Sequence, residues 1–464
     1  MPVSGAIIVP HPPVILPSVG RGREREIQST IDAYQAAAER VASWRPDVLI
    51  VTSPHVVLYA DYFHISPGKR AAGSMAAFGA PRTRLEVEYD IDLRRELIQR
   101  AEQAGIRAGT LGERDANLDH GTFIPLYFLR EAGIQCPILR IGLSGFSPSA
   151  HYQFGKIIAQ AVDALGRKAA FIASGDLSHK LRPDGPYGFA PDGPVFDQEI
   201  VKAIQDADFL RFLTLDPGLC ERAAECGLRS FRIMAGALDS HAVKAEFLNH
   251  EDIFGVGYGV GIFTVTGLDN TRRFDIKYEQ AEKNRLAARK AAEDSWVKLA
   301  RLSLETRIQT GKSLSVLPDH LPHEMTERRA GAFVSLHIRD RLRGCIGTTA
   351  PTTDSIAWEI AQNAISAGLR DPRFPPVQAS ELDLLEYSVD ILEPPEDIQS
   401  PAELDIKKYG VIVSSARDGR RGLLLPDLDG VDSVEEQIDI ARRKGGISSH
   451  EPYTLQRFEV TRHI

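Results

Sequence analysis

The chain has 464 residues, 43% hydrophobic and 25% charged, with a formal net charge of −8. That length suggests two large domains, each able to bury a core, and the composition is that of a globular protein. The mild acidic balance argues against a dedicated nucleic-acid binder, which carries clustered Lys and Arg. The four cysteines, Cys136, Cys220, Cys226 and Cys345, form no C-x-x-C pair, so a reducing cytoplasm is expected rather than a disulfide scaffold. There is no basic-then-apolar leader and no apolar run near ~18 residues, so neither a signal peptide nor a membrane span is expected.

In chain order, residues 5–9 are apolar and β-branched and stop at Pro10-His11-Pro12, which predicts a buried strand feeding a loop. Residues 27–44 carry apolar side chains at helical spacing. Residues 47–52 predict a second strand, ending at Ser53-Pro54-His55. Strand, helix, strand with short loops points to a parallel α/β unit. Helices are expected at 93–104, 122–130, 152–165, 196–207 and 229–238, and strands at 137–142, 169–174 and 255–266. The strand at 169–174 again ends in a polar loop, Gly175-Asp176-Leu177-Ser178-His179. Composition then turns rich in Lys, Arg, Glu and Ala, which reads as a linker running into a helix that Gly311 ends. Beyond it, strands at 332–337, 342–347, 384–392, 410–415, 422–425 and 455–460 mix with helices at 356–368 and 434–444. The expected organisation is an α/β domain over 1–268 with a parallel-cored sheet flanked by helices, a linker at 269–281, and a separate α+β domain over 282–464.

Three times an apolar strand leads into a loop that delivers a histidine: His11, His55 and His179. Ligands of open α/β sheets bind outside the carboxyl ends of the strands, so three such histidines can converge there. Two neutral imidazoles and a carboxylate leave open positions on an octahedral ion, as in non-haem Fe(II) oxygenases. Glu225, just ahead of an apolar helix, is the candidate carboxylate. Its neighbour Cys226 is the alternative third ligand, and a thiolate favours zinc or copper over iron. Asp176 either orients His179 or caps a turn. In the second half Cys345 lies near Arg343, a cation that lowers a thiol pKa when close, so the pair is a candidate second site; the competing reading is a buried structural cysteine. The Gly-rich run 255–259 lacks a following helix and a P-loop lysine and is read as strand rather than nucleotide loop.

Taken in order, Pro10-His11-Pro12, Ser53-Pro54-His55, Asp119-His120-Gly121-Thr122, the Ser174–His179 loop and Ala235-Gly236-Ala237-Leu238 resemble class III extradiol dioxygenases, of the protocatechuate 4,5-dioxygenase catalytic-subunit kind, and the related Memo family. The resemblance covers roughly residues 1–268. It implies that His11 and His55 bind iron, that His179 is the catalytic acid/base, that His120 stands near the substrate, and that Glu225 falls about where the carboxylate ligand lies. Cys226-Gly227 is also similar to the Memo cysteine position. Leu342-Arg343-Gly344-Cys345-Ile346-Gly347-Thr348, Asp371-Pro372-Arg373-Phe374-Pro375-Pro376 and Gly422-Leu423-Leu424-Leu425-Pro426 resemble the AMMECR family over roughly residues 282–464, a family without an established activity.

The resemblances imply an Fe(II)-dependent oxidoreductase, with Zn or Cu as the alternative metal, that opens a catecholic ring with O2. The alternative is a Memo-like metal-binding scaffold, or an accessory protein partnering a radical-SAM enzyme. Expected partners are a small aromatic diol, O2, a radical-SAM protein and a second copy in a homo-oligomer, with no nucleic acid and no membrane.

Overall fold

A computed structural model describes residues 2–114, 117–339, 341–428 and 430–464. It divides into two compact units, Met1–Ala281 and Glu282–Ile464. The first is built on a six-stranded sheet. Its strands are β1 (Val3–Val9), β2 (Val48–Ser53), β3 (Ile138–Gly142), β4 (Ala169–Ser174), β5 (His241–Glu251) and β6 (Tyr258–Leu268), in the order β3-β2-β4-β1-β6-β5. Strands β3, β2, β4 and β1 run parallel; β6 and β5 extend the sheet antiparallel.

The central strands are continuous apolar runs because both of their faces are covered. Alternate residues go to opposite cores: Ala6, Ile8, Val48, Ile50 and Phe171 to one, Ile7, Val9, Leu49, Val51 and Ile172 to the other. The period-2 geometry of a strand makes this division obligatory. Helices α1 (Gln28–Trp44), α2 (Ile91–Gln103), α3 (His120–Glu131), α4 (Pro148–Ala164), α5 (Asp192–Gln205) and α6 (Leu228–Ala237) accompany the sheet. Asp90, Asp119 and Ser147 cap three of them, each accepting a backbone N–H from the first turn. Strands β1 and β4 pair in register up to Val9 and Ser174, and β2 ends one strand away at Ser53, so three strand ends open on one edge of the sheet.

Two expectations need correction. Strand β5 was not expected; its side chains are mostly half-buried, as on an edge strand, and give little apolar signal. The expected linker at 269–281 instead holds a short 3-10 turn and the start of α7 (Phe274–Ala292), whose Asp275 accepts from Lys156 at 2.6 Å.

The second unit is a separate α+β fold on an antiparallel sheet. Strands β7 (Ala332–Ile338), β8 (Arg341–Gly347), β9 (Glu386–Leu392), β10 (Tyr409–Ser415), β11 (Arg421–Leu424) and β12 (Tyr453–His463) lie in the order β8-β7-β9-β12-β10-β11. Helices α8 (Ser295–Thr310) and α9 (Ile356–Leu369) pack on β7 and β9, and α10 (Val434–Lys444) on β10 and β11. Among the described residues no helix is long and apolar enough to cross a membrane.

Glu359 of α9 is 1% exposed, and its carboxylate accepts five hydrogen bonds. The donors are the Thr348 and Thr352 hydroxyls, the Thr352 and Thr353 amides, and the Thr353 hydroxyl, at 2.6–2.9 Å. They pin the turn that follows β8. Burial raises this carboxyl, but the donors outweigh it and hold it below its ordinary value. A depressed carboxyl contributes stability above its unfolded pKa, lost as pH falls through the folded one. Glu359→Gln turns an amide NH2 toward groups that are already donors, and is expected to cost about 1–3 kcal/mol at pH 7. Urea unfolding at pH 7 and on the acid side checks this: the gap between wild type and variant should narrow as pH falls.

Candidate metal centre

His11 leaves β1 two residues after its last strand position and is 2% exposed. Its Nδ1 lies 2.9 Å from Ser174 Oγ, and Ser174 Oγ lies 2.6 Å from the Gly121 carbonyl. A carbonyl can only accept, so the Ser174 hydrogen goes to Gly121. Ser174 Oγ must then accept from His11 Nδ1–H. This network assigns the tautomer and leaves a lone pair on His11 Nε2, aimed at the site. His55, on the solvent side, brings its own Nε2 to 3.0 Å from that atom. His120, the first residue of α3, stacks at a tilt on His55 with ring centroids 3.9 Å apart. Donor atoms of His11, His55 and His120 all lie within 4.8 Å of one another.

The histidine loops are anchored by Asp119. Its carboxylate accepts from Ser53 Oγ, the Thr122 amide and hydroxyl, and Arg140, the last at 2.8 Å. Burial alone would raise this carboxyl; Arg140, Ser53 and Thr122 outweigh burial and hold it low. Gly121 is required here, because a Cβ would lie 2.5 Å from Ser53 Oγ and 3.1 Å from the His55 ring.

On the other side of His11 stand Asp176 and Cys226. Asp176 Oδ1 accepts the His11 N–H at 2.8 Å, and Oδ2 lies 3.8 Å from His11 Nε2. Cys226 Sγ is also 3.8 Å from His11 Nε2 and accepts from the Asp176 N–H at 3.3 Å. The two loops touch through glycines. A Cβ on Gly175 would fall 2.1 Å from the Gly227 Cα, so only glycine lets Cys226 approach His11. Glu225 is not brought to the histidines. Its Oε2 accepts the Leu228 N–H at 2.7 Å and so caps α6, within the field of Arg232 and Arg229. The structure thus corrects the expected carboxylate: beside His11 stand Cys226 and Asp176.

Burial is the main influence on every ionisable group here. It lowers His11 and His120 to about 3, helped by the neighbouring imidazoles. It also lowers His55 and His179. It raises Asp176 to about 6, against the His11 N–H and His179, and pushes the Cys226 thiol well up. The four imidazoles are therefore neutral near pH 7, the form that binds metal. The donor set fits a first-row ion: two nitrogens ~2.1 Å from one ion at a right angle lie about 3 Å apart, which matches the His11–His55 spacing.

His179 is placed differently. Its ring stacks on Tyr187 at 5.0 Å, and its Nε2 is buried with no hydrogen-bond partner among the described residues. It belongs to neither donor cluster. Asp176 lies within electrostatic reach of His179, but its carboxylate is engaged by the His11 backbone.

Sequence reasoning missed Ser174 as the residue that sets the His11 tautomer, Arg140 as the Asp119 anchor, and Phe78 and Tyr187 beside the rings of His120 and His179. Arg140 did leave a signal: a charge inside an otherwise apolar strand needs a buried partner. In the second unit Arg343 is not aimed at Cys345. Its guanidinium is held by Glu381 at 2.7 and 3.0 Å and by the Pro375 carbonyl.

Comparison with known proteins agrees with this architecture. Residues 5–261 match the family described as the catalytic LigB subunit of aromatic ring-opening dioxygenase, and residues 297–463 match AMMECR1. Protein CA_C1420 of Clostridium acetobutylicum is 40% identical over 471 residues, covering 100% of this chain and 99% of its own. A Thermotoga maritima protein is 51% identical over 174 residues, 37% of this chain and 98% of its own. The crystal structure of PH0010 from Pyrococcus horikoshii shares 31% identity over 36% of this chain and 88% of its own, with a TM-score of 0.33. The chain belongs to the LigB family of aromatic ring-opening dioxygenase catalytic subunits, joined to an AMMECR1 domain.

Proposed function

We propose that the first unit is a metal-dependent oxidoreductase of the extradiol kind, opening a catecholic ring with O2, with Fe(II) held by His11 and His55. The observation that carries this reading is the pairing of neutral, convergent imidazoles with a separate, half-buried imidazole, His179, whose buried Nε2 has no hydrogen-bond partner among the described residues. Bound Fe(II) would supply positive charge that eases deprotonation of the diol, and open positions for the substrates. His179 takes one phenolic proton on its free Nε2 and returns it later; a neutral imidazole is suited to both. Tyr187 holds that ring in place. Ser174 keeps the His11 lone pair turned to the metal, as outer partners of metal-bound histidines do. His120 lines the substrate side of the site, and Phe78 meets its ring edge-to-face.

A second reading is favoured by one observation: Cys226, not Glu225, lies beside His11. A sulfur donor suits Zn or Cu(I), and the site would then serve as a Memo-like metal-binding scaffold without ring cleavage. Anaerobic loading with Fe(II), followed by O2 and a catechol panel, separates the two. Yellow ring-opened products from the Fe(II) form are expected. Full Fe(II) occupancy without product, together with Zn or Cu binding that Cys226→Ser weakens, would leave the scaffold reading in its place.

A further inference from the structure

The loop that carries His179 is held through four successive backbone amides. Leu177 N–H donates to the Gly257 carbonyl at 2.8 Å, and His179 N–H to the Ala223 carbonyl at 3.1 Å. Lys180 N–H donates to Ser178 Oγ at 3.0 Å, and Ser178 N–H to Asp197 Oδ1 at 2.8 Å. Of these acceptors Asp197 alone is a carboxylate, so its bond is charge-assisted and the strongest of the set. Asp197 belongs to α5 and reaches the loop past Gly257. A Cβ on Gly257 would fall 2.1 Å from Asp197 Oδ2, so the glycine is what admits the carboxylate.

Asp197 is 2% exposed, and a carboxylate so buried needs partners on both oxygens. Its Oδ2 accepts from Nε2 of His250, on edge strand β5, at 2.7 Å. Burial alone would lower that imidazole; the bond to Asp197 outweighs burial and raises it. A cavity of about 540 Å³, lined also by Gln198, Lys202 and Asp252, adjoins the two residues. Without His250 the carboxylate has room to turn away from the loop toward that cavity. Neither Asp197 nor His250 belongs to the donor clusters around His11, and proton transfer at His179 Nε2 makes no direct use of them.

We propose that Asp197, fixed by His250, is the positioning residue of His179, a role that rests on the reading of His179 as the acid/base. Asp197 sets the backbone from which the imidazole is presented, and so governs proton transfer without touching metal or substrate. A misplacement of about 1 Å in a reacting group costs on the order of 10²-fold in rate. The three other amide bonds restrain the loop, so losing the Asp197 bond is expected to cost about 10-fold.

Two readouts on the full chain test this. In the Fe(II)-loaded protein, Asp197→Ala should lower kcat about 10-fold and leave KM and metal content within ~2-fold of wild type. Asp197→Asn should recover most of kcat, because its amide oxygen still accepts the Ser178 N–H and its NH2 donates to a neutral His250. His250→Ala, the milder change at a half-buried residue, should lower kcat ~2–5-fold. The second readout needs no turnover: carbethoxylation by diethyl pyrocarbonate, followed by peptide mass spectrometry. Asp197→Ala should raise the rate at His179 several-fold as its Nε2 becomes reachable. His151, fully buried in the same unit with an Nε2 that likewise has no partner among the described residues, should stay unchanged and so reads general loosening. An Asp197→Ala protein that is folded and loaded, with the kcat of wild type, overturns the proposal. So does a loss shared by KM and metal content, or an Asp197→Asn as impaired as Asp197→Ala. If wild type opens no catechol, the acid/base reading fails by itself and carbethoxylation decides the role of Asp197. A His179 rate that stays at the wild-type value, or rises only in step with His151, then overturns it. If Asp197→Ala does not fold, His250→Ala carries both readouts.

Discussion

His179→Ala is expected to keep its metal and to lose about 10²–10⁴-fold in catechol turnover, the usual contribution of a positioned acid/base. The expectation rests on geometry. His179 lies outside both donor clusters, its Nε2 is buried and unpartnered among the described residues, and Tyr187 stacks on its ring. His11→Ala should lose metal and turnover together, because the Ser174-backed lone pair on Nε2 is central to both clusters. Metal analysis after Fe(II) loading, alongside initial rates, separates the two outcomes. If His179→Ala emptied the site while the fold survived, His179 would be a ligand and His120 or Asp176 the better candidate for proton transfer.

Asp119→Ala is expected to be the most destabilising single change around the site, by about 3–5 kcal/mol, because it strands a buried guanidinium. Arg140 is 5% exposed and donates to Asp119 at 2.8 Å. Loss of the α3 cap adds to the cost. For a unit of this size the melting point should fall by about 6–20 °C. Asp119→Ala combined with Arg140→Met removes both charges and should recover much of the loss. Calorimetry on the full chain reads both variants. A single variant within ~0.5 kcal/mol of wild type would mean that water reaches Arg140 and that the bridge is not a keystone. Where the single variant stays folded, its metal affinity should drop ~10–100-fold, since Ser53 and His120 lose their common anchor.

Much of this was legible in the sequence for a simple reason. A parallel strand buried on both faces is a continuous apolar run, and its end is marked by the first Pro or Gly. That placed His11, His55 and the Asp176–His179 loop at strand ends without any coordinates, and the ordered motifs carried the family. Edge strand β5 escaped because one exposed face dilutes the apolar pattern. Residues 274–281 looked like linker because a charged helix and a charged linker share a composition; the Lys156–Asp275 contact that ties α7 down is a pairing 119 residues apart. Which of Glu225 and Cys226 stands beside His11 was decided by tertiary structure alone. Glu225 and Cys226 are neighbours in sequence, and either could have faced His11. The free N–H of Leu228 claims the Glu225 carboxylate, while the contact between Gly175 and Gly227 carries Cys226 to the histidines. The same holds for Cys345. Sequence proximity pointed to Arg343, but β8 aims that side chain at Glu381, and the guanidinium that meets Cys345, at its backbone carbonyl, is that of Arg373, 28 residues further along. Local pattern records which groups stand at a strand end; which of them meet is fixed by long-range packing.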